Sequence, residues 1–136
     1  MNYSEKILLV LGASSDVGVE LIRQISSQYS YIIAHYNCSE KVLRSLKNDI
    51  GDKIVLLHSD FSDEKSTYNF VNTIVEKELI PTHIIHLPAQ KGAVKRFSKI
   101  PWDQFEYRMS ISVRSIIIVL NKLLPEMAKR KKGKII

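Results

Sequence analysis

The sequence predicts an α/β protein built on a doubly wound parallel sheet, and three observations carry that prediction. Short apolar runs alternate with amphipathic segments of helical period along the whole chain. The runs are apolar almost throughout rather than at every second residue, as strands covered on both faces are. The first run, Lys6-Ile7-Leu8-Leu9-Val10-Leu11, breaks on Gly12 and resumes as a helix near Val17-Gly18, which is a strand-to-helix turn of parallel sheets.

Taken in order, residues 5–11 form the first strand, and residues 17–28 a helix with Val17, Leu21, Ile22 and Ile25 on one face. Tyr31-Ile32-Ile33-Ala34 opens a second strand. Ser39 is expected to cap a helix running through Leu46, since Val42, Leu43 and Leu46 recur at helical spacing. Lys53 to His58 is a third strand, and Ser62-Asp63-Glu64 starts a helix to about Glu78. Thr82 to Leu87 is a fourth strand, and Pro88 to Pro101 is the longest irregular stretch. A long helical region follows from Trp102 to about Lys132, with Pro125 the expected place for a break. Gly133 stops it, and Lys134-Ile135-Ile136 reads as the start of a fifth strand. The reading is one domain over residues 1–136, with the sheet truncated at its fifth strand. Such a sheet leaves fourth-strand backbone groups and an apolar helix face short of cover, so either the polypeptide continues or a partner completes the sheet.

At 136 residues, 45% apolar and 25% charged, the chain has the composition of one globular domain. No apolar run approaches the ~20 residues that span a bilayer, and no membrane partner is expected. Met1 to Glu5 carries no export signal, and the single Cys38 cannot form an internal disulfide; both suit a cytoplasmic setting. Cys38 has no identifiable catalytic partner. The net charge of +6 is local: Lys129, Arg130, Lys131, Lys132 and Lys134 supply five positive charges near the C-terminus. No aromatic residues interleave with them, so a solvated helix end is favoured over a nucleic-acid patch.

The segment Gly12-Ala13-Ser14-Ser15-Asp16-Val17-Gly18 carries the chemistry. A glycine at the turn lets the backbone approach a pyrophosphate, and a second lets the helix sit close to the strand. The helix N-terminus then presents free N–H groups and its positive dipole end to phosphates. A Rossmann-type dinucleotide site is the expectation. An acid about 20 residues on would bind the NAD ribose and repel a 2′-phosphate; Tyr36-Asn37 stand there instead, with Lys41 and Arg44 following, which tilts the choice to NADP over NAD. His83 and His86, three apart on a strand, face opposite ways and make a poor metal pair. His35 and His58 end neighbouring strands, where a structural role is favoured.

These residues resemble the short-chain dehydrogenase/reductases, particularly the 3-oxoacyl-acyl-carrier-protein reductase-like members. Leu11 to Gly18 resembles the family's Thr-Gly-Ala-Ser-Ser-Gly-Ile-Gly turn, and Ala34-His35-Tyr36-Asn37 the second-strand end of its NADP-preferring members. Ser59-Asp60-Phe61 resembles the Asp-hydrophobic pair along the adenine, and Met127 to Ile136 the approach to the fifth strand. The resemblance covers the whole chain but about the N-terminal half of a typical member. It implies cofactor contacts from Gly12, Ser14, Ser15, Asp16, Val17, Gly18, Tyr36, Asn37, Asp60 and Phe61, with Pro88 and Ala89 walling the cofactor by their backbone.

The departures are specific. Asp16 replaces the family's middle glycine; a helix cap is its expected role, and its charge opposes a pyrophosphate. The family's Asn-Asn-Ala-Gly is His86-Leu87-Pro88-Ala89 here, and its helix asparagine falls at Ser112. The family's catalytic serine and Tyr-x-x-x-Lys pair come after the fifth strand, and Tyr107, with no lysine at position 111, does not reproduce the pair. The complete protein is therefore expected to be an NADP-dependent oxidoreductase of small carbonyl or alcohol substrates, of which the 136-residue chain is an inactive, cofactor-binding portion. A non-catalytic nucleotide-sensing or partner-binding protein is the alternative. Trp102, Phe105, Tyr107 and Met109 are expected in core and interface packing; the family packs this helix against a second subunit, which implies a homo-oligomer.

Overall fold

A computed structural model describes residues 5–90 and 95–136. Five parallel strands, β1 (Ile7–Leu11), β2 (Tyr31–Tyr36), β3 (Ile54–His58), β4 (His83–His86) and β5 (Lys134–Ile135), form one sheet in the order β3-β2-β1-β4-β5. The helices are α1 (Asp16–Ile25), α2 (Glu40–Ile50), α3 (Glu64–Glu76), α4 (Trp102–Met109) and α5 (Ser115–Lys129). The doubly wound parallel sheet expected from the sequence is the observed one.

Strand alternation divides the core in two. Leu8 and Val10 of β1 point with Ile32 and Ala34 of β2 into a layer closed by Ile22 of α1 and by Leu43 and Leu46 of α2. Ile7, Leu9 and Leu11 point the opposite way, with Ile33 and Ile84, against Phe70, Val71 and Ile74 of α3 and Val119, Leu123 and Met127 of α5. Each wholly buried Leu or Ile contributes about 1.5–3 kcal/mol, and β1, buried on both faces along its length, is the strand around which both layers assemble.

Two helix faces differ from expectation at their ends. Val17 is 65% exposed because it lies in the first turn of α1, beyond the sheet edge, and Val42 also faces solvent. Helix α2 continues past Leu46 to Ile50 and stops at Gly51, whose φ of 108° is open to glycine. The long C-terminal helical region does not break at Pro125, which lies inside α5. Pro125 and Asn121, four residues before it, are both exposed, so water can serve the carbonyl that loses its donor. The irregularity is instead a π-helical turn, Ser110–Arg114, joining α4 to α5. Nor do Trp102, Tyr107 and Met109 enter the core: all are exposed, and Phe105 is half-buried.

Between Pro88 and Pro101, residues 91–94 lie outside the described residues, and Phe97–Lys99 forms a 3-10 turn. Met1 to Ser4, on which the export reading rests, also lie outside them. Strand β5 pairs with β4 through His83 and Ile84, and Ile135 and Ile136 remain exposed.

At the opposite edge from the carboxyl ends, the buried Thr82 hydroxyl accepts from the Ile7 N–H at 3.1 Å and lies 3.0 Å from the Ile7 carbonyl. This ties the start of β4 to the start of β1. Thr82→Val keeps the shape but strands a buried N–H, so urea unfolding should show a loss of about 1–3 kcal/mol; an unchanged midpoint would refute that bond's contribution.

Candidate functional site

All the residues expected to touch a cofactor sit at the carboxyl edge of the sheet, Tyr36 as the last residue of β2 and the others beyond the ends of β1 to β4. The order in which strands are added reverses at β1: β2 and β3 lie on one side, β4 and β5 on the other, all parallel. The crevice at such a switch point is where open α/β sheets take their ligands.

The turn after β1 is shaped by two glycines. Gly12 has a φ of 75°, and a Cβ there would stand 3.0 Å from the Pro88 nitrogen and 3.1 Å from the Leu87 carbonyl carbon. The turn and the end of β4 thus meet backbone to backbone. At Gly18 a Cβ would fall 2.6 Å from the Ala13 carbonyl oxygen, so α1 lies as close to the turn as two main chains allow. The cap is Ser15 rather than Asp16. The Ser15 hydroxyl accepts from the Gly18 N–H at 3.1 Å and donates to the Gly12 carbonyl at 3.0 Å. Asp16 is the first helical residue and is exposed; its carboxylate complements the helix dipole. Ser14 is half-buried within the turn. The N–H groups of Asp16 and Val17, in the first helical turn, have no acceptor one turn back in the helix. The turn therefore fits a pyrophosphate at the start of α1, where the Asp16 and Val17 N–H groups are left to a ligand, while the Gly12 N–H is taken up by His35.

At the end of β2, Tyr36 is half-buried against the His58 ring, centroids 5.5 Å apart. Burial, and then the Glu40 carboxylate beside its hydroxyl, raise its pKa above the usual tyrosine value. Asn37 is exposed. Glu40, in the first turn of α2, is engaged by Arg44 at 2.5 Å. Beyond β3, Asp60 accepts from the Ser62 hydroxyl at 2.6 Å and the Ser62 N–H at 2.9 Å, and the hydroxyl bond above all holds its pKa down. Phe61 is buried. Pro88 is half-buried behind Gly12, and Ala89 is exposed.

Two histidines join these pieces. His35 is buried at the end of β2. Its Nδ1 accepts from the Gly12 N–H at 3.0 Å, its Nε2 donates to the Ser59 carbonyl at 2.9 Å, and its ring stacks on Phe61 with centroids 3.9 Å apart and planes 9° apart. A backbone N–H can only donate, so the Nδ1 it meets is unprotonated and the ring neutral. Burial, opposed by the Ser59 carbonyl and reinforced by His58 and His86, lowers its pKa to about 4. His86, last in β4 and paired with Leu11 of β1, donates from Nε2 to the Ser112 carbonyl at 2.7 Å. Burial lowers its pKa against that bond. It is thus a side chain of β4 that meets the π-helical turn, while the Ser112 hydroxyl turns back to the Arg108 carbonyl at 2.8 Å. The sequence held one signal for His35: a polar residue inside an apolar strand, which burial obliges to find partners. It held none for the His86 contact, which depends on the π turn. Among the described residues no group of three or more His, Cys, Asp or Glu could hold a metal ion.

Fold and turn together define an α/β protein of the Rossmann type. The chain belongs to the short-chain dehydrogenase family, whose model matches residues 6–136. It is 27% identical to the NADPH-dependent pterin aldehyde reductase of Arabidopsis thaliana over 96% of the chain and 54% of that protein. Its fold is similar to that of a short-chain dehydrogenase from Streptomyces avermitilis, with a TM-score of 0.86 at 19% identity, covering 99% of this chain and 49% of the other. A metagenomic short-chain oxidoreductase in complex with NADP gives 0.85 at 16% identity, covering 96% and 60%. The chain thus spans about half the length of each of these three proteins.

Proposed function

We propose that these residues are the cofactor-binding portion of an NADP-dependent oxidoreductase that interconverts carbonyl and alcohol groups. The turn at the β1/β4 crevice carries this reading, since its two glycines pack it closely against Pro88 and Ala13 and so hold the first turn of α1 at the crevice, where its N–H groups can meet a pyrophosphate. The NADPH dependence in the plant relative's name and the NADP in the metagenomic structure support the choice of cofactor. Within the chain, the residues beyond β2 present no uncompensated acid, because Glu40 is paired with Arg44; a ribose 2′-phosphate meets less repulsion there than beside a free carboxylate.

When bound, the nicotinamide supplies the hydride chemistry. This chain's residues bind and orient. The first turn of α1 offers N–H groups to phosphate, Tyr36 and Asn37 border the adenosine end, and Asp60 and Phe61 line its base. Pro88, packed against the turn at Gly12, and Ala89 form the wall beside it. Among the described residues, Arg44 acts to lower the Tyr36 pKa but burial and Glu40 outweigh it, so this reading gives these residues binding and orientation and assigns none of them the proton transfer to a carbonyl. A small carbonyl compound, a 3-oxoacyl thioester among the options, is the substrate class of the whole protein. A cytoplasmic setting goes with the exposed single cysteine. A homo-oligomer goes with the exposed Met109, Val113 and Ile117 spaced along α4, the π turn and α5.

The exposed Asp16 favours a second reading, a non-catalytic nucleotide-sensing or partner-binding protein, because a carboxylate in the first turn of α1 weakens phosphate binding. Calorimetric titration of the chain with NADP, NAD and a short DNA duplex tests these readings. The expected result is NADP binding at least tenfold tighter than NAD, no turnover of aldehydes, and no salt-sensitive duplex binding. Absence of heat with both dinucleotides would overturn the cofactor reading.

A further inference from the structure

We propose that His35 is the positioning residue of the dinucleotide site, one neutral imidazole that fixes the phosphate-binding turn against the loop bearing Asp60 and Phe61. The proposal rests on the cofactor reading above. The two halves of that site come from segments far apart in sequence. Gly12 belongs to the turn after β1, and Asp60 and Phe61 to the loop after β3; β2 lies between the two strands. Main-chain bonds run one step past the strands, from the Ala13 N–H to the His35 carbonyl at 2.9 Å and from the Ser59 N–H to the Tyr36 carbonyl at 3.0 Å, but each ties one half of the site to β2 and neither joins the two halves.

His35 bridges that gap three ways. Its Nδ1 takes the Gly12 N–H, its Nε2–H goes to the Ser59 carbonyl, and its ring lies flat on Phe61. Phe70 of α3 meets the same imidazole edge-on at 5.2 Å, which fixes the ring from the layer below. Only one tautomer satisfies both polar contacts, so the ring has one orientation. The bond to Gly12 also settles where that N–H points. Directed at His35, it is withheld from the crevice, and phosphate is left to the N–H groups of the α1 first turn. A purely apolar ring at position 35 would fill the space and keep the stack while leaving the Gly12 N–H and the Ser59 carbonyl without these partners.

The two polar bonds can be separated by substitution. An Asn side chain reaches the Nδ1 position and can still accept from Gly12; a Gln side chain reaches the Nε2 position and can still donate to Ser59. NADP affinity should therefore fall at least tenfold in His35→Phe and in His35→Gln, and less than fivefold in His35→Asn. Affinities are to be compared at a temperature where circular dichroism shows each variant folded. A packing role alone ranks these substitutions by volume, with Gln the milder and Asn the more damaging. Independently of any ligand, the 15N-labelled wild-type chain at pH 7 should show a scalar coupling between the Gly12 nitrogen and His35 Nδ1 across their hydrogen bond, with His35 in the Nε2–H form. The proposal is overturned if Asn weakens binding more than Gln, if Phe binds as the wild type does, or if His35 is found as the Nδ1–H tautomer. A wild-type chain that binds no dinucleotide overturns the cofactor reading, and the tautomer measurement still decides whether His35 holds the turn.

Discussion

Replacing Gly18 by alanine should weaken the fold by about 2 kcal/mol and NADP binding at least tenfold, although alanine is the better helix former. In an open helix that exchange would be favourable by roughly 1 kcal/mol. At position 18 the added Cβ would meet the Ala13 carbonyl oxygen at 2.6 Å and the Ala13 carbonyl carbon and Cα at 2.8 Å. Those are main-chain atoms of a turn already held by the Ala13 N–H bond to the His35 carbonyl at 2.9 Å and by the Ser15 cap. No side chain can rotate away, so α1 must lift off the turn. Overpacking of this kind costs about 1–3 kcal/mol or more, which outweighs the propensity gain. The lift also stretches the Gly18 N–H bond to Ser15 and displaces the first-turn donors from any phosphate. Urea unfolding and calorimetry measure the two effects. A Gly18→Ala chain as stable as the wild type would show that the turn yields, and with it the claim of close backbone contact would fall.

That glycine was legible in the sequence, because a strand that stops at Gly12 and a helix expected to start five residues later leave little room for another geometry. The parallel sheet was legible for a related reason: β1, β2 and β4 are apolar on both faces, and only a sheet covered on both sides asks for that. What the sequence could not show were features that depend on how distant segments meet. Helical spacing placed Val17 and Val42 on inner faces, but an end-of-helix position puts Val17 beyond the sheet. Pro125 suggested a kink, yet its cost falls with water at hand, and the irregularity moved to residues 110–114. There Ser110, Ser112 and Ser115 hydroxyls bond to carbonyls four residues back, a pairing that competes with the regular ladder. Asp16 looked like the cap by composition. Ser15 took that role because its backbone is extended, with ψ at 158°, which lets a side chain fold back onto Gly18.

The site shows the same division. Gly12, Gly18 and Pro88 are read from the strand-turn-helix pattern and the end of the fourth strand, but the links among them run through histidines whose partners lie 23 to 26 residues away. Sequence pattern registers periodicity within a segment and is silent on which buried imidazole answers which carbonyl. Burial then gives those histidines a consequence that the whole molecule should display.

Acid should destabilise this protein well above the range in which carboxylates titrate. His35 has a folded-state pKa of about 4 against 6.5 for an exposed histidine. A base with a depressed pKa is held neutral by the fold, so the unfolded chain binds the extra proton first. Stability is then complete above pH 6.5, falls as pH drops toward 4, and changes no further from this group below that. The full span corresponds to about 3 kcal/mol, of which most is lost by pH 4.5. His83 and His86, whose pKa values burial also lowers, act in the same direction. Asp60, lowered mainly by the Ser62 hydroxyl, adds an acid-side loss only below the usual carboxylate range. The structural cause at His35 is direct: a proton on Nδ1 meets the Gly12 N–H head on, donor against donor, in a site closed over by Phe61 and Phe70. Urea unfolding of the wild type at pH 7 and pH 4.5 should differ by roughly 2–3 kcal/mol. His35→Asn, which carries no titrating group at that position, should be less stable at pH 7 but lose markedly less on acidification. Equal pH dependence in the two proteins would assign the acid sensitivity elsewhere and show that the imidazole does not remain neutral in the folded chain.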